Sequence, residues 1–468
     1  MSIETACHII NGQLMNPRKA GGRFRGVSVD TRTIQSGNAF FCIRGERTDG
    51  HRFATRAVRG GAGVIIGERA WARRHAIWDV PVIGVDDPLT ALGDLAAEFR
   101  RSFPTRYVAV TGSVGKTTTK ELIAAALSAR FRVFKSPGNY NNLIGIPLAL
   151  LRRDDTPGRA ARFGVLELGM STPGEIARLT QIVQPDWGVV TRIGPSHLMQ
   201  MKSLAAIARA KRELFDYADP CTVAFLNQDD PRQRTWQARW TRPTVTYGLD
   251  READFNGDHV QTLPNGTVTF RVNGRHPIAL SLFGAHNVPN ALAAIAVGRR
   301  LGVPFRDIAA ALKSVAPVGD RSRIVRLKSL VLIEDCYNAN PTSTVAALDA
   351  LARWPDAGRK IAVLGAMREL GPQEAEWHRR VGRVAIRTAD IVVAVGELAR
   401  FYVSDTASQR SKSQVRTCAS QAGAVRLLKR LVSPGDVVLF KASHSEHFEE
   451  IVKELREHWE PDGKKRRG

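Results

Sequence analysis

The distribution of apolar and polar positions predicts a chain of alternating strands and helices. Short β-branched or aromatic runs, bounded by turns rich in glycine and asparagine, alternate with amphipathic stretches of helical period. This alternation favours mostly parallel sheets covered by helices. It is clearest at residues 107–127, where the apolar run Val108, Ala109 and Val110 precedes a glycine turn and an apolar helical stretch. We therefore expect an α/β protein.

The pattern divides the chain into three parts. Residues 1–102 alternate short strand-like runs with turns, and residues 103–316 show the alternation of a mostly parallel sheet. Residues 317–468 open with a predicted hairpin and then alternate again, as in a Rossmann-type unit. A length of 468 residues suits about three domains. We predict a small N-terminal α/β domain, a central domain with a mostly parallel sheet and a C-terminal Rossmann-like domain.

The turn after the first central strand is typical of a phosphate-binding loop. It reads Gly112-Ser113-Val114-Gly115-Lys116-Thr117, a G-x-x-G-K-T pattern shorter than the common P-loop. Glycines let backbone N–H groups converge, and the helix start adds unpaired N–H groups and a positive dipole end. Lys116 can neutralise terminal phosphates, and the Thr117 hydroxyl can ligate Mg²⁺. The alternative is a glycine-rich turn without a ligand.

Two further side chains are predicted at the same sheet edge. Glu167 comes just past the predicted strand at residues 163–166, and His197 follows the next predicted strand. Ligands of open α/β sheets bind at the carboxyl ends of parallel strands. A hard cation at the phosphates prefers oxygen ligands. Either residue alone is more simply structural, but the two together indicate a metal site.

Other polar clusters leave alternatives open. The turns that contain Asp30 and Arg44, with Glu46 and Arg47, could line a small polar site or could be salt-bridged turns. Asn287 and Asn290 lie at a predicted helix start, so they could be N-caps or could hold a purine edge.

Composition places the chain among ordinary soluble proteins of a reducing compartment. It has 43% hydrophobic and 24% charged residues, and no apolar run approaches the roughly 18 residues that span a membrane. The N-terminus lacks the basic and apolar regions of a secretory signal. The five cysteines form no C-x-x-C pair, which argues against a zinc ribbon or a disulfide framework. We expect a cytoplasmic protein, and a monomer.

The net charge of +23 suggests anionic partners. The basic residues are dispersed, however, and only the tail at residues 464–467 forms a run. A solvated basic face is therefore favoured over a nucleic-acid footprint. We expect no specific nucleic-acid partner.

Ten blocks in order along the chain resemble the Mur ligases. They read SVDTRTIQSGNAFFCIRGERTDGH, VTGSVGKTTTKE, GNYNNLIGIPL, LELGMS, IGPSHL, ARAKRELF, NQDDP, GAHNVPNA, DCYNANPTS and LGAMRELG. The resemblance covers most of the chain. It implies an N-terminal domain that grips the UDP end of the substrate, a central ATPase and a C-terminal domain for the incoming amine. The YNANP block resembles the member that joins D-alanyl-D-alanine to UDP-N-acetylmuramoyl-tripeptide through an acyl phosphate.

The resemblance also implies roles for individual residues. Lys116, Lys211 and His197 would be catalytic, with Mg²⁺ held by Thr117, Glu167, His197 and a carbamylated Lys211. The UDP substrate would contact Ser28, Asp30, Thr31, Arg32, Arg44, Gly45, Asn139, Asn141 and Asn142. ATP would contact residues 112–118 (Gly112, Ser113, Val114, Gly115, Lys116, Thr117 and Thr118), Asn287, Asn290, Arg321 and Asp335. The dipeptide would contact Tyr337, Asn338 and Asn340.

Several positions depart from the family pattern. They are Leu143, Arg192, Met199, Arg212, Ala442 and His444, and none of them is a phosphate or metal residue. They surround Lys211 and the implied dipeptide pocket, so the class of reaction is predicted more firmly than the dipeptide. The alternatives are a related ligase that adds another amino acid or dipeptide, a nucleic-acid-linked ATPase and a binding module that has lost catalysis.

Overall fold

The structure is a computed structural model that describes residues 1–16, 21–45, 48–76, 78–152, 160–319, 321–327, 329–355, 358–404 and 414–459. Glu46, Arg47 and the basic tail at 464–467 lie outside the described residues. Within these ranges, the strands form three sheets, which we call the N-terminal, central and C-terminal sheets. Most strand pairs are parallel, so the predicted α/β class is confirmed.

The N-terminal sheet has the strand order β1-β5-β4-β3-β2 and is parallel except at β1. Its strands are β1 (Gln13–Leu14), β2 (Val27–Ser28), β3 (Ala39–Phe41), β4 (Val64–Glu68) and β5 (Val82–Val85). Its helices are α1 (Ile3–Ile9), α2 (Ala54–Arg59), α3 (Arg69–Arg74) and α4 (Pro88–Arg101). Asp87 caps α4 through its carboxylate, and Pro88 occupies the first turn, where no N–H is needed.

The central sheet has the order β14-β13-β12-β11-β10-β9-β6-β8-β7. Its strands are β6 (Arg106–Thr111), β7 (Val133–Lys135), β8 (Phe163–Glu167), β9 (Trp187–Val190), β10 (Val223–Asn227), β11 (Thr244–Gly248), β12 (Phe255–Thr262), β13 (Val268–Val272) and β14 (His276–Leu280). Its helices are α5 (Lys116–Ser128), α6 (Gly145–Leu151), α7 (Glu175–Val183), α8 (Leu198–Met201), α9 (Leu204–Asp216), α10 (Pro231–Gln237), α11 (Val288–Arg300) and α12 (Phe305–Lys313).

The order of the central strands places the glycine turn at the middle of the sheet. β6 pairs in parallel with β8 on one side and with β9 on the other. The three strands therefore end at the same edge, as the sequence predicts. Glu167 is the last residue of β8, so the expectation that it lies just past the strand is wrong by one position. Leu122 and Leu127 of α5 are fully buried in the core beneath β6.

The C-terminal sheet has the order β15-β16-β20-β17-β18-β19 and is antiparallel only between β15 and β16 in the described part of the chain. Its strands are β15 (Arg323–Arg326), β16 (Val331–Asp335), β17 (Lys360–Leu364), β18 (Ile391–Val395), β19 (Gln414–Cys418) and β20 (Val437–Lys441). Its helices are α13 (Pro341–Ala352), α14 (Glu374–Thr388), α15 (Ala399–Val403), α16 (Gln421–Leu431) and α17 (Phe448–Trp459).

The five cysteines are free thiols. None of the helices in the described ranges has the length and apolar character needed to cross a lipid bilayer.

Candidate functional site

Two positions of the glycine turn between β6 and α5 fit only glycine. Gly112 has φ +147° and Gly115 has φ +86°. A Cβ on Gly115 would lie 2.3 Å from Oδ1 of Asn290, and a Cβ on Gly112 would lie 1.9 Å from Oγ1 of Thr191. The side chains of Asn290 in α11 and of Thr191 just after β9 therefore pack directly against the loop. This close approach positions the N-terminus of α5 for an anion.

The segment after β9 runs along the glycine loop and is hydrogen-bonded to it. Ser113 donates through its hydroxyl to the carbonyl of Gly194 at 2.8 Å, and its N–H donates to the carbonyl of Arg192 at 2.8 Å. Thr191 donates through Oγ1 to the carbonyl of Val114 at 2.6 Å. The segment that ends at His197 is thus part of the same edge as the loop.

Lys116, the first residue of α5, lies over the loop. Its ammonium donates to the carbonyl of Gly112 at 2.9 Å and lies 3.4 Å from that of Ser113. Desolvation lowers the pKa of Lys116, the nearby Arg321 lowers it further, and Glu167 opposes the shift. A cation in this position would face an anion bound in the loop.

Thr117 and Glu167 form the oxygen-rich part of the site. Oγ1 of Thr117 donates to Oε2 of Glu167 at 2.6 Å, and Nδ2 of Asn141 donates to Oε1 at 2.9 Å. Glu167 is buried with 2% of its surface exposed. A hydroxyl and a carboxylate are hard-cation ligands, so this pair fits Mg²⁺. No group of three or more His, Cys, Asp or Glu side chains in the described ranges could hold a metal by itself.

Lys211 lies in α9, which begins at Leu204 and is longer than the predicted helix at 207–215. The residue is 1% exposed, and among the described residues its ammonium has no hydrogen-bond or ion-pair partner. Burial lowers its pKa well below the ordinary value, and the charge of Lys116 lowers it further, against the opposing carboxylates of Glu167, Glu175 and Glu213. The amine is therefore in a setting that favours its neutral form.

The neighbours of Lys211 have other partners. Glu213 accepts from the backbone N–H groups of Gly174 and Ala177, both at 3.0 Å. Arg212 forms an exposed ion pair with Asp216 at 3.0 Å. Neither an ion pair of Lys211 with Glu213 nor a contact of Arg212 with the site is found in the described part of the chain.

His197 contacts the C-terminal unit, by which we mean the C-terminal sheet together with its helices and loops. Its Nδ1 lies 2.6 Å from Oε2 of Glu369, and the backbone N–H of Met199 donates to the carbonyl of Glu369 at 3.1 Å. The proximity of His197 lowers the pKa of the Glu369 carboxyl. Glu369 lies in the resembling block LGAMRELG, but nothing in the sequence singled it out as a site residue. Met199, one of the departures, is largely exposed here at 59%.

Asn287 occupies the N-cap position of α11 but makes no side-chain cap hydrogen bond, and Asn290 lies inside the helix, so the N-cap interpretation holds only for the position of Asn287. Asn287 donates through Nδ2 to the carbonyl of Phe283 at 2.8 Å, and Asn290 donates to Oδ1 of Asn287 at 3.0 Å. Oδ1 of Asn290 in turn accepts from Thr119 at 3.2 Å. The two asparagines therefore connect α11 to α5.

A small pocket of about 20 Å³ lies between the start of α5 and the linker to the C-terminal unit, which lines it with residues 315–318, 321 and 322. Its lining includes Thr117, Thr118, Asn287 and Arg321, four residues that the sequence assigns to ATP. The structure thus brings these four together beside the glycine loop.

Arg321, Tyr337 and His444 form a stack between the linker and the C-terminal sheet. The Arg321 guanidinium lies 3.9 Å from the centroid of the Tyr337 ring. The rings of Tyr337 and His444 are stacked at 5.7 Å with an interplanar angle of 23°. His444, one of the departures, is exposed at this position.

The other residues predicted near this stack have structural partners. Asp335 pairs with the buried Lys441 at 2.8 Å and accepts from the N–H of Ser322 at 3.1 Å. Lys441 also donates to the carbonyl of Asn338 at 2.7 Å. Asn340 is the N-cap of α13 in a capping box with Ser343.

The predicted UDP-binding residues lie at the N-terminal sheet and in the loop before α6. Asp30 pairs with Arg32 at 2.6 Å, and Arg44 pairs with Glu68 at 3.2 Å and with Asp49 at 3.5 Å. Ser28 is buried and donates to the carbonyl of Asp30, and the N–H of Gly45 donates to the carbonyl of Thr48. Oδ1 of Asn142 accepts from the backbone N–H groups of Ile144 and Gly145. Thr31 and Asn139 lie in turns. Asn141 donates to Glu167.

Three buried side chains that the sequence did not single out hold the loops of the site. Oδ2 of Asp230 accepts from the N–H of Ile193 at 2.9 Å, and Gln233 donates to the carbonyl of Thr191. Lys120 donates to the carbonyl of Ser136 at 2.8 Å. Each contact joins elements far apart in sequence, so no local pattern could have revealed it.

Comparisons with known proteins cover the whole length of the site. The model of the Mur ligase family catalytic domain matches residues 23–100, that of the Mur ligase middle domain matches residues 110–298, and that of the Mur ligase glutamate ligase domain matches residues 320–444. A UDP-N-acetylmuramoyl-tripeptide–D-alanyl-D-alanine ligase of Bacillus subtilis (strain 168) is 35% identical over 462 residues, 97% of this chain and 98% of the relative. The enzyme of that name from Escherichia coli is 34% identical over 457 residues, 96% and 97% of the two chains.

Two solved structures are similar to this chain over nearly its whole length. MurF from Acinetobacter baumannii is similar with a TM-score of 0.87 and 29% identity over 97% of this chain and 98% of that one. MurF ligase from Thermotoga maritima, solved in complex with ADP, has a TM-score of 0.83 and 30% identity over 93% and 98%.

Proposed function

The chain belongs to the Mur ligase family, and on this premise we propose that it joins D-alanyl-D-alanine to UDP-N-acetylmuramoyl-tripeptide at the expense of ATP. The product is a precursor of peptidoglycan. The observation that carries the proposal is the glycine loop with Lys116 at the same sheet edge as the Thr117–Glu167 pair. Similarity over nearly the full length to ligases with these substrates supports it.

The first chemical step is phosphoryl transfer. The terminal carboxylate of the tripeptide attacks the γ-phosphate of ATP, the bond to the β-phosphate oxygen breaks, and an acyl phosphate and ADP result. Every reactant is anionic, so the main task of the protein is positioning and charge neutralisation. Lys116 supplies a cation above the loop, and the N–H groups in the first turn of α5 supply oriented donors.

In the second step, the amine of the dipeptide attacks the acyl carbon. A tetrahedral intermediate forms, phosphate leaves, and the amine loses a proton as the amide forms. Arg321 lines the pocket beside the glycine loop, and its guanidinium lies over the ring of Tyr337. We assign Tyr337, Asn338 and the capping residue Asn340 to the dipeptide side.

Magnesium fits the residues at the loop. Thr117 and Glu167 offer the oxygen ligands of a hard cation, which would neutralise charge on the phosphates. His197, with the Nδ1 contact to Glu369, offers Nε2 for a second cation.

Lys211 joins this set only as a carbamate. A protonated amine repels cations, whereas a carbamate on Lys211 gives two oxygen donors. The buried position with its lowered pKa favours the neutral amine that reacts with CO₂.

The three sheets suggest a division of labour. We assign residues 1–102 to the UDP end of the substrate, residues 103–316 to ATP and residues 317–468 to the dipeptide. The free cysteines suit a reducing compartment, so we place the protein in the cytoplasm, and we expect a monomer. Through peptidoglycan supply, the enzyme would serve cell-wall growth and cell division.

The decisive experiment is phosphate release from ATP in the presence of UDP-N-acetylmuramoyl-tripeptide and Mg²⁺, with and without D-alanyl-D-alanine. We expect phosphate release to require both the tripeptide and D-alanyl-D-alanine, and we expect mass spectrometry to detect the pentapeptide product. ATP hydrolysis at the same rate without these two substrates, or at a higher rate with another amino acid in place of the dipeptide, would contradict the substrate assignment.

A further inference from the structure

A single carboxylate of the C-terminal unit contacts the segment that borders the phosphate loop. Oε2 of Glu369 lies 2.6 Å from Nδ1 of His197, and the carbonyl of Glu369 accepts from the N–H of Met199 at 3.1 Å. The same segment meets the C-terminal unit once more, because a Cβ on Gly194 would lie 2.5 Å from Oγ1 of Thr342. The side chain and the backbone of Glu369 thus act on two residues that are two positions apart.

The loop that carries Glu369 is anchored in the C-terminal unit by its neighbours. The N–H of Arg368 donates to Oγ of Ser443 at 2.9 Å, and its guanidinium pairs with Glu446 at 2.7 Å. Met367 donates its N–H to Nε2 of the buried His378 at 3.0 Å. These bonds hold Glu369 in place within the C-terminal unit. The contact with His197 therefore depends on how the C-terminal unit is positioned against the central sheet.

Both partners have a left-handed backbone conformation, which residues other than glycine rarely adopt. His197 has φ +52° and Glu369 has φ +66°. Left-handed conformations at non-glycine residues are costly and persist only where the surroundings enforce them, often at functional sites. The contact is therefore enforced on both sides.

The chemistry of histidine gives the contact a role. A carboxylate close to Nδ1 attracts the imidazole electrostatically and restricts its orientation, which leaves Nε2 to bind a cation or a phosphate. We propose that Glu369 is a positioning residue: from the C-terminal unit it orients His197, so the phosphate side of the site is complete only when the two units are seated together. This inference rests on the proposed function for the role of His197, but the contact itself does not.

The test compares Glu369→Ala and Glu369→Gln with a matched control, Glu454→Ala. Glu454 also belongs to the C-terminal unit and pairs with Lys429 at 3.4 Å, and its side chain is 53% exposed against 52% for Glu369. A carboxylate that orients a ligating histidine is worth about 10- to 100-fold in activity or cation affinity. We expect Glu369→Ala to lower kcat by about this factor, with KM for ATP and the dipeptide changed by less than about threefold.

Two further results separate positioning from general stability. Glu369→Gln retains an acceptor for the imidazole, so its kcat should lie between those of the wild type and Glu369→Ala. If Glu369 acts through His197, the double variant His197→Gln/Glu369→Ala should be no slower than His197→Gln alone. A kcat for Glu369→Ala within about twofold of the Glu454→Ala value, or multiplying effects in the double variant, would overturn the proposal.

A measurement without substrates keeps this inference apart from the proposed function. Amide hydrogen exchange at residues 196–202 should be faster in Glu369→Ala than in the wild type and unchanged in Glu454→Ala. If the wild type fails to ligate but exchange responds in this way, the substrate assignment is wrong and the contact stands. If exchange in this segment is the same in all three proteins, the positioning role is wrong.

Discussion

The hydroxyl of Thr117 donates a 2.6 Å hydrogen bond to Glu167 across 50 residues of sequence. It joins the first turn of α5 to the last residue of β8. Because Glu167 is 2% exposed, its carboxylate relies on hydrogen bonds from Thr117 and Asn141 in place of water. The contact therefore has a structural as well as a chemical role.

We predict that Thr117→Val destabilises the ligand-free protein by about 1–3 kcal/mol, because it removes a donor from a buried carboxylate. Urea denaturation measures this free energy of unfolding. Thr180→Val is the matched control, since Thr180 is fully buried and its hydroxyl has no hydrogen-bond partner among the described residues. That variant should be neutral or more stable, and equal losses in both variants would contradict the role of the Thr117 hydroxyl.

Lys116→Ala should abolish ligation and leave the fold intact. Removal of a group that stabilises developing charge typically lowers the rate by about 10²–10³. The control is Lys135→Ala, which removes an exposed lysine whose partner is Glu121. Circular dichroism checks the fold, and phosphate release measures turnover. Near wild-type ligation in purified Lys116→Ala would show that the glycine loop does not bind the phosphates of ATP.

The glycine loop and its sheet edge could be predicted because their signals are local. The spacing of Gly112, Gly115 and Lys116 between an apolar strand and an apolar helix is readable within one window of sequence. The parallel arrangement of β6, β8 and β9 follows from strand–helix alternation, so the placement of Glu167 at the same edge followed too.

Contacts between distant segments were beyond prediction from residues alone. The side chain of Asn290 lies against Gly115, so its position serves loop packing rather than a helix cap. The bond from Asn141 to Glu167 arises because the loop before α6 packs against the end of β8. Glu369 carries no local signal, since its partner His197 belongs to another sheet. Such pairs are set by tertiary packing, which no periodicity records.

The stack on Tyr337 predicts a separation of ring and hydroxyl effects. Arg321 lies 3.9 Å from the ring centroid, a cation–π geometry worth about 0.5–1 kcal/mol at an exposed site. Tyr337→Phe retains the ring and should leave KM for ATP unchanged, whereas Tyr337→Leu releases Arg321 and should raise it by about two- to fivefold. Initial-rate kinetics with each substrate varied measure both values. Equal KM values in the two variants would show that the ring does not hold Arg321.

The basic charge predicts weak, salt-sensitive binding to DNA. Arg100, Arg106 and Arg300 line an open cavity of about 770 Å³, but Asp186 and Asp219 line it too, and Arg106 pairs with Asp186 at 2.9 Å. Duplex DNA should bind without sequence preference and lose affinity steeply as salt rises. Fluorescence anisotropy at several salt concentrations measures this. Nanomolar binding at physiological salt, or ATPase activity stimulated by DNA, would favour a nucleic-acid-linked ATPase.

The buried amine of Lys211 predicts a pH-dependent stability. Its pKa in the folded protein is lowered from 10.5, so between the lowered value and 10.5 the unfolded chain binds more protons than the native one. Stability attributable to this group therefore rises with pH across that window, and the full penalty of burying the charge is present below it. Lys211→Met, which has no charge to bury, should be more stable than the wild type near neutral pH, and the difference should shrink as pH rises. Urea denaturation in CO₂-free buffer tests this sign.

The same lowered pKa makes a chemical prediction about Lys211, because carbamylation needs an unprotonated amine and dissolved CO₂. If the carbamate supplies oxygen ligands to a cation, Lys211→Ala should be nearly inactive and partly rescued by acetate or formate, which restore a carboxylate in the space left by the side chain. Lys116→Ala is the matched control: it removes a cation from the same site, so neither anion should rescue it. Activity of the wild type should also fall in CO₂-free buffer and return with bicarbonate. An uncarbamylated ammonium at Lys211 in a crystal structure with both cations bound, or a Lys211→Ala variant that no small carboxylate rescues, would instead make Lys211 an ordinary buried lysine.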